Sequence, residues 1–150
     1  MIPWLDGEHG VLIAQTIASC WMCGLIWFVQ VVHYPLFDVV RGSEALRYAA
    51  EHQRRTTLVV GPPMLVEMVT AAWIVLAPPA FLPVWVAVAG LAMVVLLWVS
   101  TAAWQIPYHV KLARDGHDSN VVTGLVRTNR ARTALWSARA LLSVWMLASV

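Results

Sequence analysis

The sequence predicts an all-α fold: a four-helix transmembrane bundle running up-down-up-down, with a short interfacial helix between the first two spans. Three observations carry that expectation. Of 150 residues, 60% are hydrophobic and 12% charged, about half the charge of an ordinary soluble domain. Nine Trp in so short a chain fit the aromatic belts of membrane interfaces. All ten Lys and Arg fall in two stretches, 41–55 and 111–139.

Each element follows in order. Segment 1–10 carries Asp6 and Glu8 and no basic residue, so it lacks the positive start of a cleavable signal peptide. The apolar run after it, about 11–34, is therefore expected to be a permanent first span, ending where Pro35 withdraws a backbone donor. In the polar stretch 38–57, Ser43-Glu44-Ala45-Leu46-Arg47 opens the interfacial helix, with Ser43 as its N-cap. The second span, about 58–77, has Gly61-Pro62-Pro63 near its entry, where a kink or restart is expected. An uncharged Pro-rich turn, 78–83, leads to the third span, about 84–105, whose polar extension is bent by Pro107. Residues 115–120 form a loop by composition. The fourth helix, about 121–150, exceeds the roughly 20 residues a span requires, so its first turns should project from the bilayer. Small residues such as Ser19, Gly24, Ala71, Ala87, Ala89 and Gly90 permit close helix contact. Cys20 and Cys23, three apart on the first helix, are expected to be packing residues. The whole chain is one domain.

The charge asymmetry also sets an orientation. Basic residues mark cytoplasmic connections, so both polar connections are expected inside the cell's inner membrane and both termini outside. The arginines sit at membrane borders rather than in a basic stripe with exposed aromatics, which argues against nucleic-acid binding. No GxSxG, P-loop, GxGxxG or zinc-finger spacing occurs, so hydrolase and nucleotide-binding functions have no support.

The chemistry lies in ionisable groups within the spans, which are costly in hydrocarbon unless paired or hydrated. Glu67 lies roughly 15 Å into the second helix and Arg139 roughly 16 Å from the other end of the fourth, at 1.5 Å per residue. Matching depth predicts a buried pair or a shared pocket. Asn129, Arg132, Trp136, Arg139 and Ser143 follow a 3,4,3,4 spacing and share one helix face, whereas Arg127 and Arg130 point to lipid headgroups. His33, His52 and His109, the last on one face with Gln105, gather toward the cytoplasmic half, and opposite Glu67 they predict a common pocket. His9 and His117 fall in loops and receive no role.

The motifs His33-Tyr34-Pro35-Leu36-Phe37, Trp104-Gln105-Ile106-Pro107-Tyr108-His109 and Asn129-Arg130-Ala131-Arg132-Thr133, with Trp136 and Arg139, resemble those of small bacterial four-helix membrane proteins near the anthrone-oxygenase-like superfamily. The resemblance implies oxygenation of polycyclic aromatic phenols without a demonstrated cofactor, and pocket roles for His33, His109, Asn129, Arg132 and Arg139. The family's Asn-Trp-x-Arg is replaced here by Asn129-Arg130-Ala131-Arg132. Trp21-Met22-Cys23-Gly24-Leu25 is similar to the first helix of bacterial four-helix protoporphyrinogen oxidases, which bind haem through His; their order of His and Arg is not reproduced.

The leading expectation is a membrane redox enzyme, oxygenase- or oxidase-like, acting on a hydrophobic phenol or quinol. His33 or His109 would serve as general base, Arg132 and Arg139 would stabilise the phenolate, and Glu67 would orient Arg139. His52, Glu67, Gln105, Asn129 and Trp136 would complete the binding surface. The alternatives are a haem- or metal-binding protein without enzymatic activity, and a structural or transport component in which Glu67 and Arg139 lock helix register. The cofactor is therefore open: none, haem held axially by His33 and His109, or a transition metal with ligands among His33, His52, Glu67 and His109. The expected partners are the lipid bilayer and a hydrophobic small molecule, with self-association left open.

Overall fold

The computed structural model describes residues 7–150, in which every regular element is helical. The acidic start at Asp6 lies outside the described residues. Helix α1 (Gly7–Phe28) passes through a π-helical turn (Val29–His33) into α2 (Tyr34–Leu36). Helix α3 spans Ser43–Leu76, and α4 (Val84–Ser100) passes through a second π-helical turn (Thr101–Gln105) into α5 (Ile106–Asp115). Helix α6 spans Ser119–Ala148, so the chain forms four long rods.

Proline bends these rods without ending them. Pro35 was expected to stop the first helix, yet the helix continues to Leu36 because the preceding turn widens: the Tyr34 N–H reaches the Val29 carbonyl five residues back. Ile106, before Pro107, does the same to Thr101. The wider turn moves the ring away from the carbonyl it would otherwise strike. The separate interfacial helix is absent as well: its residues are the first turns of α3, which continues through Pro62 and Pro63. The N-cap of α3 is Gly42, at φ 70°, and Ser43 is its first helical residue. The loop before α6 is only 116–118, because the Asp118 carboxylate caps that helix by accepting from the N–H groups of Asn120 at 2.9 Å and Val121 at 3.4 Å.

Helix α1 packs against α3 and α6, and α4 also packs against α3 and α6. Three apolar layers fill the interior. Leu12, Ile74, Val86 and Met146 occupy one end, Met22, Met64, Leu97 and Trp136 the middle, and Val29, Phe37, Leu112 and Leu125 the other end. Ser19, Ala71, Ala87 and Gly90 are buried as expected of close-contact residues, whereas Gly24 and Ala89 face outward. Cys20 is likewise exposed, and only Cys23 turns partly inward, its Sγ 3.8 Å from Ser137 Oγ.

Three rods are long and apolar enough to cross a membrane: His9–Leu36, Ser43–Leu76 and Val84–Asp115. Helix α6 does not share that apolarity, so the expected four spans become three by this measure. Its four arginines and the buried polar groups Asn129, Thr133 and Ser143 are the reason.

The two polar connections meet at one end. His117 Nε2 donates to Asp38 Oδ1 at 2.8 Å, Ser119 Oγ donates to the same oxygen at 3.0 Å, and Lys111 Nζ lies 3.2 Å from Asp118 Oδ2. His117, given no role in the sequence, is thus a tether, and His9 stands on α1 rather than in a loop. The His117 and Ser119 bonds hold the Asp38 carboxyl below its ordinary range, and the Lys111 bond does the same for Asp118. Groups with depressed folded pKa values stabilise fully above their unfolded values and lose that contribution as pH falls through the folded ones. The melting temperature is therefore expected to drop on acidification below about pH 4, and Asp38→Asn should flatten that drop in a series of thermal melts.

Candidate functional site: a buried phenol–imidazole–guanidinium pocket

The interior holds two polar nodes. The first joins α1, α3 and α6. Arg139 Nε donates to Glu67 Oε1 at 3.2 Å, and Ser19 Oγ donates to the same oxygen. The two side chains are 1% and 0% exposed. Glu67 Oε2, both Arg139 Nη atoms and Gln15 Oε1 are buried without a partner among the described residues. Residue 90 is glycine, and a Cβ there would stand 2.7 Å from Arg139 Nη1, so the guanidinium would have to shift.

The second node lies toward the polar connections, at the two π-helical turns. A cavity of about 190 Å³ opens there, with Met22, Ile26, Val29 and Val60 as apolar walls and Tyr34, His52, Gln105, His109 and Arg132 as polar ones. The π turns rotate the helix ends so that Tyr34 and Gln105, each adjoining a turn boundary, face inward: both are buried. Arg132, beside Tyr34, is held by Asn129 Oδ1 at 3.1 Å and Thr101 Oγ1 at 3.2 Å. Asn129 Nδ2 in turn donates to Gln30 Oε1 at 3.0 Å.

The hydrogen bonds fix where the protons sit. Thr128 Oγ1 donates to the Gly124 carbonyl at 2.8 Å, so its oxygen must accept from Gln105 Nε2 at 2.9 Å. Gln105 Oε1 then faces Tyr34, whose single hydroxyl proton it accepts at 3.1 Å. With that proton committed, the phenol oxygen accepts from His109 Nε2, 3.0 Å away, and also faces the Arg132 guanidinium. His109 is therefore the Nε2–H tautomer, with a bare lone pair at Nδ1. That atom is buried and has no partner among the described residues.

Not every expected residue belongs to this pocket. His33, His52 and His109 do come together: His52 lies 4.4 Å from the His33 ring and 4.9 Å from that of His109 between centroids, and His33 Nε2 meets His52 Nδ1 at 2.6 Å. Glu67 is not opposite them. It stands fifteen residues from His52 on the same helix, about 22 Å along the axis, and Arg139 stands about 10 Å along α6 from Arg132. Trp136 fills the apolar middle layer, away from the polar walls. Asn129 positions Arg132 from behind. Tyr34, the centre of the node, is in the sequence only one member of a motif; its place one residue before Pro35, where the turn widens, is the signal that marks it.

The histidines do not fit a haem held axially by His33 and His109. The His52 ring occupies the space at their faces, and the Nε2 of each outer ring is already engaged, with His52 and with Tyr34. Among the described residues, no three His, Cys, Asp or Glu side chains are arranged to hold one metal ion.

What the node offers is an imidazole with a bare nitrogen and a fixed guanidinium, on two residues that line one small, largely apolar cavity. Comparison with known proteins adds no relative: no family model, curated protein or solved structure matches the chain.

Proposed function

We propose that the chain is an integral protein of the inner membrane, an up-down-up-down bundle that oxidises a hydrophobic phenol or quinol in the Tyr34–His109–Arg132 pocket. The observation that carries this is that His109, whose Nδ1 has no partner among the described residues, lines the same cavity as Arg132. The ligand hydroxyl gives its proton to His109 Nδ1, and the Arg132 guanidinium stabilises the phenolate that forms. Tyr34 and Gln105 hold the imidazole in the tautomer that leaves Nδ1 bare. A quinol then passes two electrons and two protons in all to dioxygen, leaving a quinone and hydrogen peroxide. The oxygenase-like sequence motifs support the same chemical class.

The membrane placement draws on the three long apolar helices, on exposed Trp21, Trp27, Trp73, Trp85 and Trp104, and on the confinement of basic residues to two stretches. Single cysteines at Ala80 and Ser119, in a chain lacking Cys20 and Cys23, are expected to label from opposite sides. Ala80 should react with an impermeant maleimide on intact cells and Ser119 only after the membrane is opened; the reverse would overturn the orientation.

The activity is tested by oxygen uptake with a short-chain quinol and detergent-purified protein. Wild type should consume oxygen above the spontaneous rate, and His109→Gln should fall to that rate, a loss of about 100-fold or more for a general base. Equal rates for the two proteins would remove His109 from the chemistry.

A further inference from the structure

We propose that the ligand of this pocket carries a long apolar chain, held in the seam between α1 and α3. This rests on the pocket being a phenol or quinol site and narrows the ligand to a chain-bearing, bilayer-resident one.

Three hollows follow one another along that seam. The pocket of about 190 Å³ shares Leu25, Val29, His52 and Thr56 with a second hollow of about 430 Å³, which has Glu51 and Arg55 on its lining. Val59 borders both the second hollow and a third, of about 610 Å³, lined entirely by apolar residues. The third hollow exists because the facing residues leave the seam unfilled. Ala14 and Ala18, one turn apart on α1, look across at Pro62 and Pro63 on α3, while Trp21 and Leu58, both exposed, stand higher on either helix. From Thr56 to Val66 the hollows run ten residues along α3, about 15 Å.

The shape selects among ligands. A single ring fills the polar pocket and leaves the seam empty. A bilayer acyl chain fills the outer hollow but has no group for His109 and Arg132. A rigid polycycle would have to pass His52, which lines both the first and the second hollow. A ring with a flexible chain occupies all three, head at Arg132 and tail along Ala18 and Pro62. Lipid tails are as apolar as the seam, so the chain gains little by leaving the bilayer. Its contribution is fit: the seam is the path by which a seated head can keep its tail in place.

The test compares two quinones with the same ring, one without a chain and one with a ten-carbon chain, binding to the full-length protein in lipid nanodiscs by quenching of Trp fluorescence. Val59→Trp blocks the junction of the outer hollows and Ala18→Leu raises the seam floor; neither residue lines the head pocket. Both variants should bind the chainless quinone as wild type does, which also shows that they fold, and should lose about tenfold or more for the chain-bearing one, the size of a steric insertion. Unchanged affinity for the chain-bearing quinone in a variant that still binds the chainless one would overturn the seam. Failure of the chainless quinone to bind wild type would instead overturn the pocket, and the seam with it.

Discussion

Glu67→Gln and Arg139→Gln, made singly, are each expected to cost about 3–5 kcal/mol of stability, because each leaves an opposite charge buried without its partner. Both side chains are almost wholly removed from the surface, and the 3.2 Å bond from Arg139 Nε to Glu67 Oε1 is the only charge compensation either receives within the described residues. The double variant should recover much of that loss, so a double-mutant cycle in mild detergent should report strong coupling. Quinone binding should survive in the double variant, since the pair stands about 10 Å along α6 from Arg132. That combination assigns Glu67 and Arg139 to locking α3 against α6. Additive losses, or abolished binding in a folded double variant, would return them to a ligand site.

Arg132→Gln is expected to weaken binding of a phenolic ligand by about 10- to 100-fold, the usual worth of a hydrogen bond to a charged group. Arg132→Lys should recover only part of it. A lysine ammonium sits on a flexible stem and lacks the planar fork whose Nη1 and Nη2 atoms now reach Asn129 and Thr101, so its charge is less firmly placed. Titration of each variant with 1-naphthol, read by Trp fluorescence, measures the effect. Equal affinities in all three proteins would mean that the ligand does not reach the guanidinium.

How much of this was legible in the sequence depended on the kind of signal. Periodicity and depth were readable: the buried face of α6 was given by a 3,4,3,4 spacing, and Glu67 and Arg139 were matched by counting residues from opposite ends. The convergence of three histidines followed from their placement near one border. Proline is ambiguous in a sequence. Pro35 and the Pro62-Pro63 pair look like breaks in one dimension, but a π turn, or the surrounding helices, can absorb a missing N–H. Those turns rotate Tyr34 and Gln105 onto the pocket, so the site's centre could not be found without knowing that the helix continues. Placing Glu67 opposite the histidines failed for a related reason: with the polar stretch after Ser43 read as a separate helix, Glu67 and His52 were not seen as two points about 22 Å apart on one rod. The role of His109 Nδ1 depends on four consecutive hydrogen bonds across three rods, which no spacing encodes.

Whether the pocket deprotonates a phenol can be seen directly with 4-nitrophenol, whose phenolate is yellow and whose neutral form is not. At a pH below the dye's ordinary pKa, the wild-type protein should bind it as the yellow phenolate. His109→Gln and Arg132→Gln should leave it colourless or unbound. A dye that binds the wild type and stays neutral, or turns equally yellow with both variants, would contradict proton transfer to His109 beside Arg132.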